Sequence, residues 1–246
     1  MDEKDMEFLD DLKAWLEETK DIKLEAMDKF FEVRVDGYEE HMSSWKEYYE
    51  WMAQLIPEDA KELLDIGCGT GLELDNIFKR FPDIKVTGID LAKSMLHELK
   101  KKHKDRNLSL ICEDYFAVPF GKECFDVAVS FETLHHFQPE KKVLIFQKLY
   151  DSLRDGGCYI ECDYIARTQE QEELLFAECQ RKRKQDNIPE NMFIHFDTPL
   201  TLEHEINLMK QAGFEKVELL GYKGDNNTPM IVATKNLETI KEQAIS

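Results

Sequence analysis

The sequence predicts an α/β protein built on a doubly wound, mostly parallel sheet, and three observations carry that reading. From Lys61 onward, short apolar runs ("ELLDIG", "IKVTGID", "LSLICED", "FDVAVS", "GCYIECD") alternate with amphipathic segments of helical period. Alternation of this kind means parallel strands joined by crossover helices. Behind the first run stand three glycines at alternate positions, Gly67, Gly69 and Gly71, at the start of the first such helix. Two later apolar runs, "FEKVELLGY" and "MIVATK", flank the turn residues Gly224, Asp225 and Asn226, which predict an antiparallel hairpin.

Taken in order, residues 1–58 form a helical lid segment ahead of one domain over 59–246. Met6, Leu9, Leu12 and Leu16 repeat at helical spacing, as do Met42, Trp45, Tyr49, Met52 and Leu55 before Pro57. They predict two helices joined near Asp36 and Gly37. Crossover helices are expected over roughly Leu72 to Arg80, Ala92 to His103 and Glu140 to Leu153, the last with Val143, Phe146, Leu149 and Leu153 as its apolar stripe. Residues 167–201 interrupt the alternation with a charged helix, "QEELLFAECQRKRK", and an irregular stretch, "QDNIPENMFIHFDTPLT"; together they read as a cap insertion.

Composition narrows the function. With 246 residues, 42% of them hydrophobic and 11% aromatic, the chain can fill the core of one large domain. Its 51 acidic residues against 32 basic ones give a net charge of −19, a field that repels phosphate backbones and anionic membranes. The expected partner is therefore a small-molecule substrate, with the chain a monomer or homodimer. The start "MDEKDMEFLD" has no leader pattern, and no apolar stretch approaches the roughly 18 residues of a membrane span, so a cytoplasmic location is expected. Six cysteines without a CxxC pair suggest mostly buried thiols in a reducing compartment, and Cys158 and Cys162, on one strand face, suggest core packing. "RKRK", Arg181 to Lys184, suits the last turn of a helix, solvated and facing the dipole.

A strand, a glycine loop and a helix place backbone N–H groups at one point, where a carboxylate or phosphate can bind. The dinucleotide fingerprint GxGxxG is not met, because Leu72 stands where its last glycine belongs; the GK[ST] of a P-loop is missing too. Asp65, two residues before Gly67, would repel a pyrophosphate and attract an ammonium group. The ligand is then a zwitterion, and S-adenosylmethionine fits, with its amino-acid end, sulfonium and nucleoside. Asp90 closes the second run 21 residues after Gly69, where an acid can accept from ribose hydroxyls. Leu91 and Met95 could flank the adenine, and "ICEDYF" adds Glu113, Asp114 and Tyr115.

At these residues the sequence resembles the class I S-adenosylmethionine-dependent methyltransferases, over roughly Lys61 to Lys235. "ELLDIGCGTG" is similar to the family's first motif, which brings in Cys68 and Thr70; "FDVAVSFETLHHF" is similar to the fourth-strand motif, where the backbone near Ser130 and the following residues, Phe131 first, would line the methionine end. "LRDGGCYIECD" resembles the fifth-strand motif. The resemblance implies a seven-stranded sheet of order 3-2-1-4-5-7-6 with the seventh strand antiparallel. It also implies S-adenosylmethionine as cofactor and leaves the acceptor open.

Methyl transfer asks the protein to align the acceptor and, for a protic one, to take a proton. Glu132, His135, His136, Asp163 and Tyr164 follow the fourth and fifth strands, at the carboxyl ends where open sheets bind ligands. Glu132, His135 and Tyr38 are the expected catalytic residues. His41, His136, Asp163, Tyr164, His195 and Phe196 are expected to line the acceptor. Tyr38 and His41 belong to a lid element before the first strand, and His195 and Phe196 to the aromatic part of the insertion. No metal is expected, since no third ligand stands at suitable spacing from the two histidines. Three other readings use the same residues: an RNA or protein acceptor, synthesis of a modified S-adenosylmethionine with Arg34 as the candidate cation, and cofactor binding without catalysis.

Overall fold

A computed structural model describes residues 3–224 and 226–236; Asp225 of the expected turn and residues 237–246 lie outside them. Seven strands form one sheet in the order β3-β2-β1-β4-β5-β7-β6. They are β1 (Glu62–Ile66), β2 (Lys85–Asp90), β3 (Leu108–Cys112), β4 (Phe125–Phe131), β5 (Leu153–Cys162), β6 (Lys216–Gly221) and β7 (Met230–Thr234). The first five pair in parallel, and β7 runs antiparallel to both β5 and β6, as the hairpin signal implied.

The strands alternate their side chains between two cores. Val127, Val129 and Phe131 of β4 point to the face covered by α4 (Lys46–Leu55), α5 (Leu72–Arg80) and α6 (Lys93–Lys102). Ala128 points to the opposite core, with Phe146 and Leu149 of α7 (Pro139–Ser152) and Met209 of α9 (Leu202–Gln211). Cys158 and Cys162 share the first of these cores, as packing predicted, whereas Cys112 and Cys124 are exposed and depart from the buried-thiol expectation. Helix signals are local and legible. Gly71 supplies the left-handed residue ahead of α5, and Glu73 and Asp75 in its first turn with Lys79 and Arg80 in its last complement the dipole. Pro139 starts α7, and Thr201 caps α9.

The N-terminal segment differs from the two helices expected. It folds as α1 (Glu3–Glu18), α2 (Met27–Glu32), α3 (Val35–His41), a 3₁₀ turn over Met42–Trp45, and then α4; Gly37 lies inside α3. The break before α2 is tertiary in origin. Ala26 pairs with Ile194 of the cap insertion in an antiparallel bridge, Met27 N donates to Phe193 O at 3.0 Å, and His195 N donates to Glu25 O at 3.0 Å. An extended link of this kind cannot be helical. Helix α4, with Tyr48, Tyr49, Met52 and Ala53 buried, belongs to the core of the sheet rather than to a lid.

The cap helix α8 (Gln169–Asp186) begins at Thr168, whose hydroxyl accepts from Gln171 N at 3.2 Å. Its basic run is not simply solvated. Lys182 is buried and donates to Thr19 O at 2.6 Å and Ile22 O at 2.9 Å, and Arg183 donates to Pro189 O and Met192 O. Carbonyls left over where α1 ends need donors, and the cations supply them. No helix among the described residues is long and apolar enough to cross a membrane.

Candidate active site

The glycine loop leaves β1 at the carboxyl edge of the sheet. Gly67, Gly69 and Gly71 all take positive φ (+70°, +46° and +69°), a conformation that favours glycine. Gly67 also lies against Thr133: a Cβ there would stand 2.2 Å from Thr133 Oγ1. The Tyr38 ring covers Gly69. Asp90 fixes the loop from β2, its Oδ2 accepting from Gly69 N at 2.9 Å and its Oδ1 from Ala92 N at 2.7 Å. Asp114 is held in the same way, accepting from Phe116 N at 2.7 Å.

Around this loop opens a cleft of about 620 Å³, its solvent-facing mouth included. Tyr38, Gly67, Gly69, Asp90, Leu91, Met95, Asp114, Tyr115, Phe131, Glu132 and His136 line it. Sequence reasoning missed Met27, Phe31, Thr133, Phe137 and Phe193, which also line it. Thr133 and Phe137 flank "LHH" and were within reach of the motif; Phe31 and Phe193 come from separate segments that only the Ala26–Ile194 bridge brings together.

Other expected cofactor residues sit elsewhere. Ser130 points to the α7 side of the sheet, its hydroxyl 2.6 Å from that of Tyr159, because alternation puts it opposite Phe131. Cys68 and Thr70 are buried behind the loop, Cys68 packing against Gly88. Glu113 is exposed, its carboxylate accepting from Asp114 N at 3.0 Å. Asp65 is buried behind the cleft wall beside Glu73 of α5. Burial and the neighbouring Glu73 hold the Asp65 carboxyl well above its ordinary range, and burial raises Glu73 as well, so the two share a proton. Asp65 Oδ2 and Glu73 Oε1 have no hydrogen-bond partner in the protein, which leaves acceptor capacity for an ammonium group. Together with the open glycine backbone, these orphaned atoms fit the cofactor inferred from the sequence.

Beyond the cleft lies a group of imidazoles and carboxylates. Glu132, at φ +49°, donates its N–H to Cys162 O at 2.8 Å and carries a buried Oε1 without a hydrogen-bond partner. Asp163, at the end of β5, accepts from Leu134 N at 2.7 Å and Tyr164 N at 2.9 Å, and meets His135 Nδ1 at 2.5 Å. Thr198 N donates to His135 O at 2.7 Å, which brings Asp197 of the insertion to 3.3 Å from His136 Nδ1 and 3.6 Å from His135 Nε2.

Burial works against a charged His135, but Asp163 and Asp197 outweigh it and push it up to about 9. Burial and the His135 charge lower His136, and burial pushes Glu132 up to about 7. The Tyr38 phenol is raised by burial and by Glu73, Asp90 and Glu132, so it stays protonated and serves as a cover rather than a base.

The insertion and α1 enclose a second, mainly apolar groove, lined by Leu12, Trp15, Phe30, Tyr164, Leu175, His195, Phe196 and Asp197 among others. His195 stacks on Phe30 with ring centroids 3.4 Å apart, and its pKa is lowered to about 4 by burial and His136. His41 is exposed on α3 and lines neither space.

Residues 63–157 match the family described as "Methyltransferase domain". This segment is a methyltransferase domain, and with the sheet order it supports a class I S-adenosylmethionine-dependent methyltransferase. It is 28% identical over 182 residues to the carboxy-S-adenosyl-L-methionine synthase of Campylobacter lari, covering 68% of this chain and 74% of that one. It is 29% identical over 169 residues to the malonyl-(acyl-carrier protein) O-methyltransferase of Herminiimonas arsenicoxydans, covering 68% of this chain and 58% of that one. The structure of human N-acetylserotonin methyltransferase in complex with S-adenosylmethionine is similar in fold, with a TM-score of 0.61 at 16% identity, covering 85% of this chain and 56% of that one. This chain thus spans a little over half the length of the last two relatives. The methyltransferase domain takes S-adenosylmethionine and the protein is an enzyme.

Proposed function

We propose that the enzyme methylates a small protic acceptor whose apolar body lies in the groove between α1 and the insertion. One observation supports this above the others: the contact of Asp197 with His136, at 3.3 Å, is where the two spaces meet, since His136 lines the cofactor cleft and Asp197 the groove. An acceptor seated in the groove then reaches the cofactor past the Glu132, His135 and Asp197 side chains. S-adenosylmethionine supplies an electrophilic methyl on a sulfonium, released as a neutral thioether when the acceptor takes the methyl and gives up a proton. Glu132, buried, on the cleft wall and with a free oxygen, is placed to receive that proton. Asp163 orients His135, and Tyr38, Phe31 and Phe193 keep water from the cleft.

The similarity to a carboxy-S-adenosylmethionine synthase raises a second reading, in which the cofactor itself is modified. An added carboxyl would need a cation, and among the described residues no arginine or lysine lines the cleft. Arg34, the sequence candidate, is half-exposed, paired with Glu25 at 3.0 Å and lying over the Phe30 ring. The carboxylates present favour a neutral or cationic acceptor instead. The test is to incubate the full chain with methyl-labelled S-adenosylmethionine and metabolite fractions, followed by mass spectrometry. A labelled product one methylene heavier, with S-adenosylhomocysteine released, is expected. A heavier cofactor carrying an extra carboxyl would overturn the reading.

A further inference from the structure

We propose that His135, His136 and Asp197 form a divalent metal site at the junction of the cofactor cleft and the groove. The inference rests on the acceptor placement proposed above and gives that junction a second task. It starts from distances. His135 Nε2 lies 3.6 Å from an Asp197 oxygen, too far for a hydrogen bond, and His136 Nδ1 makes only long contacts, 3.3 Å to the same oxygen and 3.4 Å to Phe196 O. A tetrahedral ion with bonds of about 2.0–2.1 Å holds neighbouring donors roughly 3.3–3.4 Å apart, so these gaps match the edges of a coordination shell. One donor atom from each of the three residues lies within 4.8 Å of the others, and Glu132 bears the same relation to His135 and Asp163.

Three further features point the same way. Asp163 lies 2.5 Å from His135 Nδ1 and holds a proton on that nitrogen, so Nε2, facing Asp197, is the nitrogen an ion would take in exchange for a proton; a carboxylate behind a ligating imidazole is the usual support of a metal-bound histidine. Glu132 Oε1 is buried at this place without a hydrogen-bond partner, an acceptor in want of a cation. Three carboxylates, from Glu132, Asp163 and Asp197, converge on a pair of imidazoles. The donor set of two nitrogens and carboxylate oxygens suits zinc, cobalt, manganese or ferrous iron, whereas magnesium and calcium prefer oxygen alone. An ion here would face the groove and lower the proton affinity of an oxygen that the acceptor presents.

The test is titration of the full chain, stripped with a chelator, with cobalt(II) and zinc(II) in the absence of cofactor and acceptor. One equivalent of cobalt(II) with visible absorption bands of nitrogen and oxygen ligation is expected. Asp197→Asn, on a half-exposed side chain, should weaken binding at least tenfold, and Asp163→Asn by roughly 10- to 100-fold through the loss of imidazole support. Absence of binding, or binding that neither variant changes, as at the exposed Cys112 or Cys124, would overturn the site. S-adenosylhomocysteine affinity of the stripped protein is measured in parallel. If it persists while metal binding fails, only the metal inference falls; if it is lost while metal binds, the cofactor reading falls instead.

Discussion

Replacing Gly67 with alanine tests whether the loop after β1 is built to leave its backbone bare. Two costs can be read from the geometry. Gly67 has φ +70°, where a residue with a Cβ is strained by about 1–2 kcal/mol. The new Cβ would also stand 2.2 Å from Thr133 Oγ1 and 2.7 Å from Thr133 Cβ, so one of the two segments must move. The loop resists, since Gly67 N donates to Ile89 O at 2.8 Å and losing that bond costs about 0.5–1.5 kcal/mol. Together the terms give about 1.5–3.5 kcal/mol, or roughly 13- to 370-fold in an equilibrium constant. The penalty is divided between folding and ligand binding according to whether the loop holds its shape or yields. Urea denaturation and calorimetric titration with S-adenosylhomocysteine read the two parts. Thr133→Gly removes the overlapping side chain, so Gly67→Ala should cost less in that background than alone. If Gly67→Ala keeps its stability within about 0.5 kcal/mol and its affinity within about twofold, the loop is not constrained as described.

Glu73→Gln should stabilise the protein. The folded pKa values of Asp65 and Glu73 lie above their unfolded ones, so their favourable contribution is present at low pH and is lost as pH rises through the folded values. Urea midpoints of the variant should exceed those of the wild type near neutrality and converge with them in acid; equal midpoints throughout would refute the shared proton. Lys142→Met removes the buried partner of Glu205, 2.6 Å away, and should cost about 3–5 kcal/mol, most of it recovered in Lys142→Met/Glu205→Leu. A double variant no better than the single one in denaturant titration would contradict this. Lys182→Met leaves the carbonyls of Thr19 and Ile22 without their donor, so hydrogen exchange should quicken in residues 19–26 and 187–197 together. Faster exchange confined to one segment would show that they are not coupled.

The sheet and its helices were legible because both periods are local: Leu72 to Arg80 was placed to the residue, and the strand runs fell where they pair. The cofactor loop was legible for the same reason, since Asp65, the glycines and Asp90 follow one another along the chain. The face taken by the Ser130 side chain was not legible, because a motif names neighbouring residues without saying which face each takes. The break between α1 and α2 was not legible, because it arises from pairing with residues nearly 170 positions away, at Phe193 to His195. Asp197 escaped notice as a companion of His135 on the same ground: no spacing rule links two residues that meet only when Thr198 N bonds to His135 O.

That last bond explains why the acceptor side of the site needs the whole chain. β4 and β5 present Glu132, His135 and Asp163 at the carboxyl edge of the sheet, where a bare α/β core would leave them in water. The insertion adds Asp197, closes one side, and packs Phe193 and Leu200 against the core of the sheet. It is also fixed by the N-terminal segment, through the Ala26–Ile194 bridge, the Lys182 clamp and the stacking of His195 on Phe30. Leu12 and Leu16 of α1 pack with Leu175 and Cys179 of α8 in a small core separate from those of the sheet. A separate core of this size is a weaker cooperative unit than the sheet it adjoins, so it can open without unfolding the cofactor loop. The bridge, the Lys182 clamp and this core tie α1, α2 and the insertion into one body beside the groove. Tyr38 and Phe31 lie on that body's edge and also cover the cofactor cleft, so opening for one ligand loosens the cover over the other.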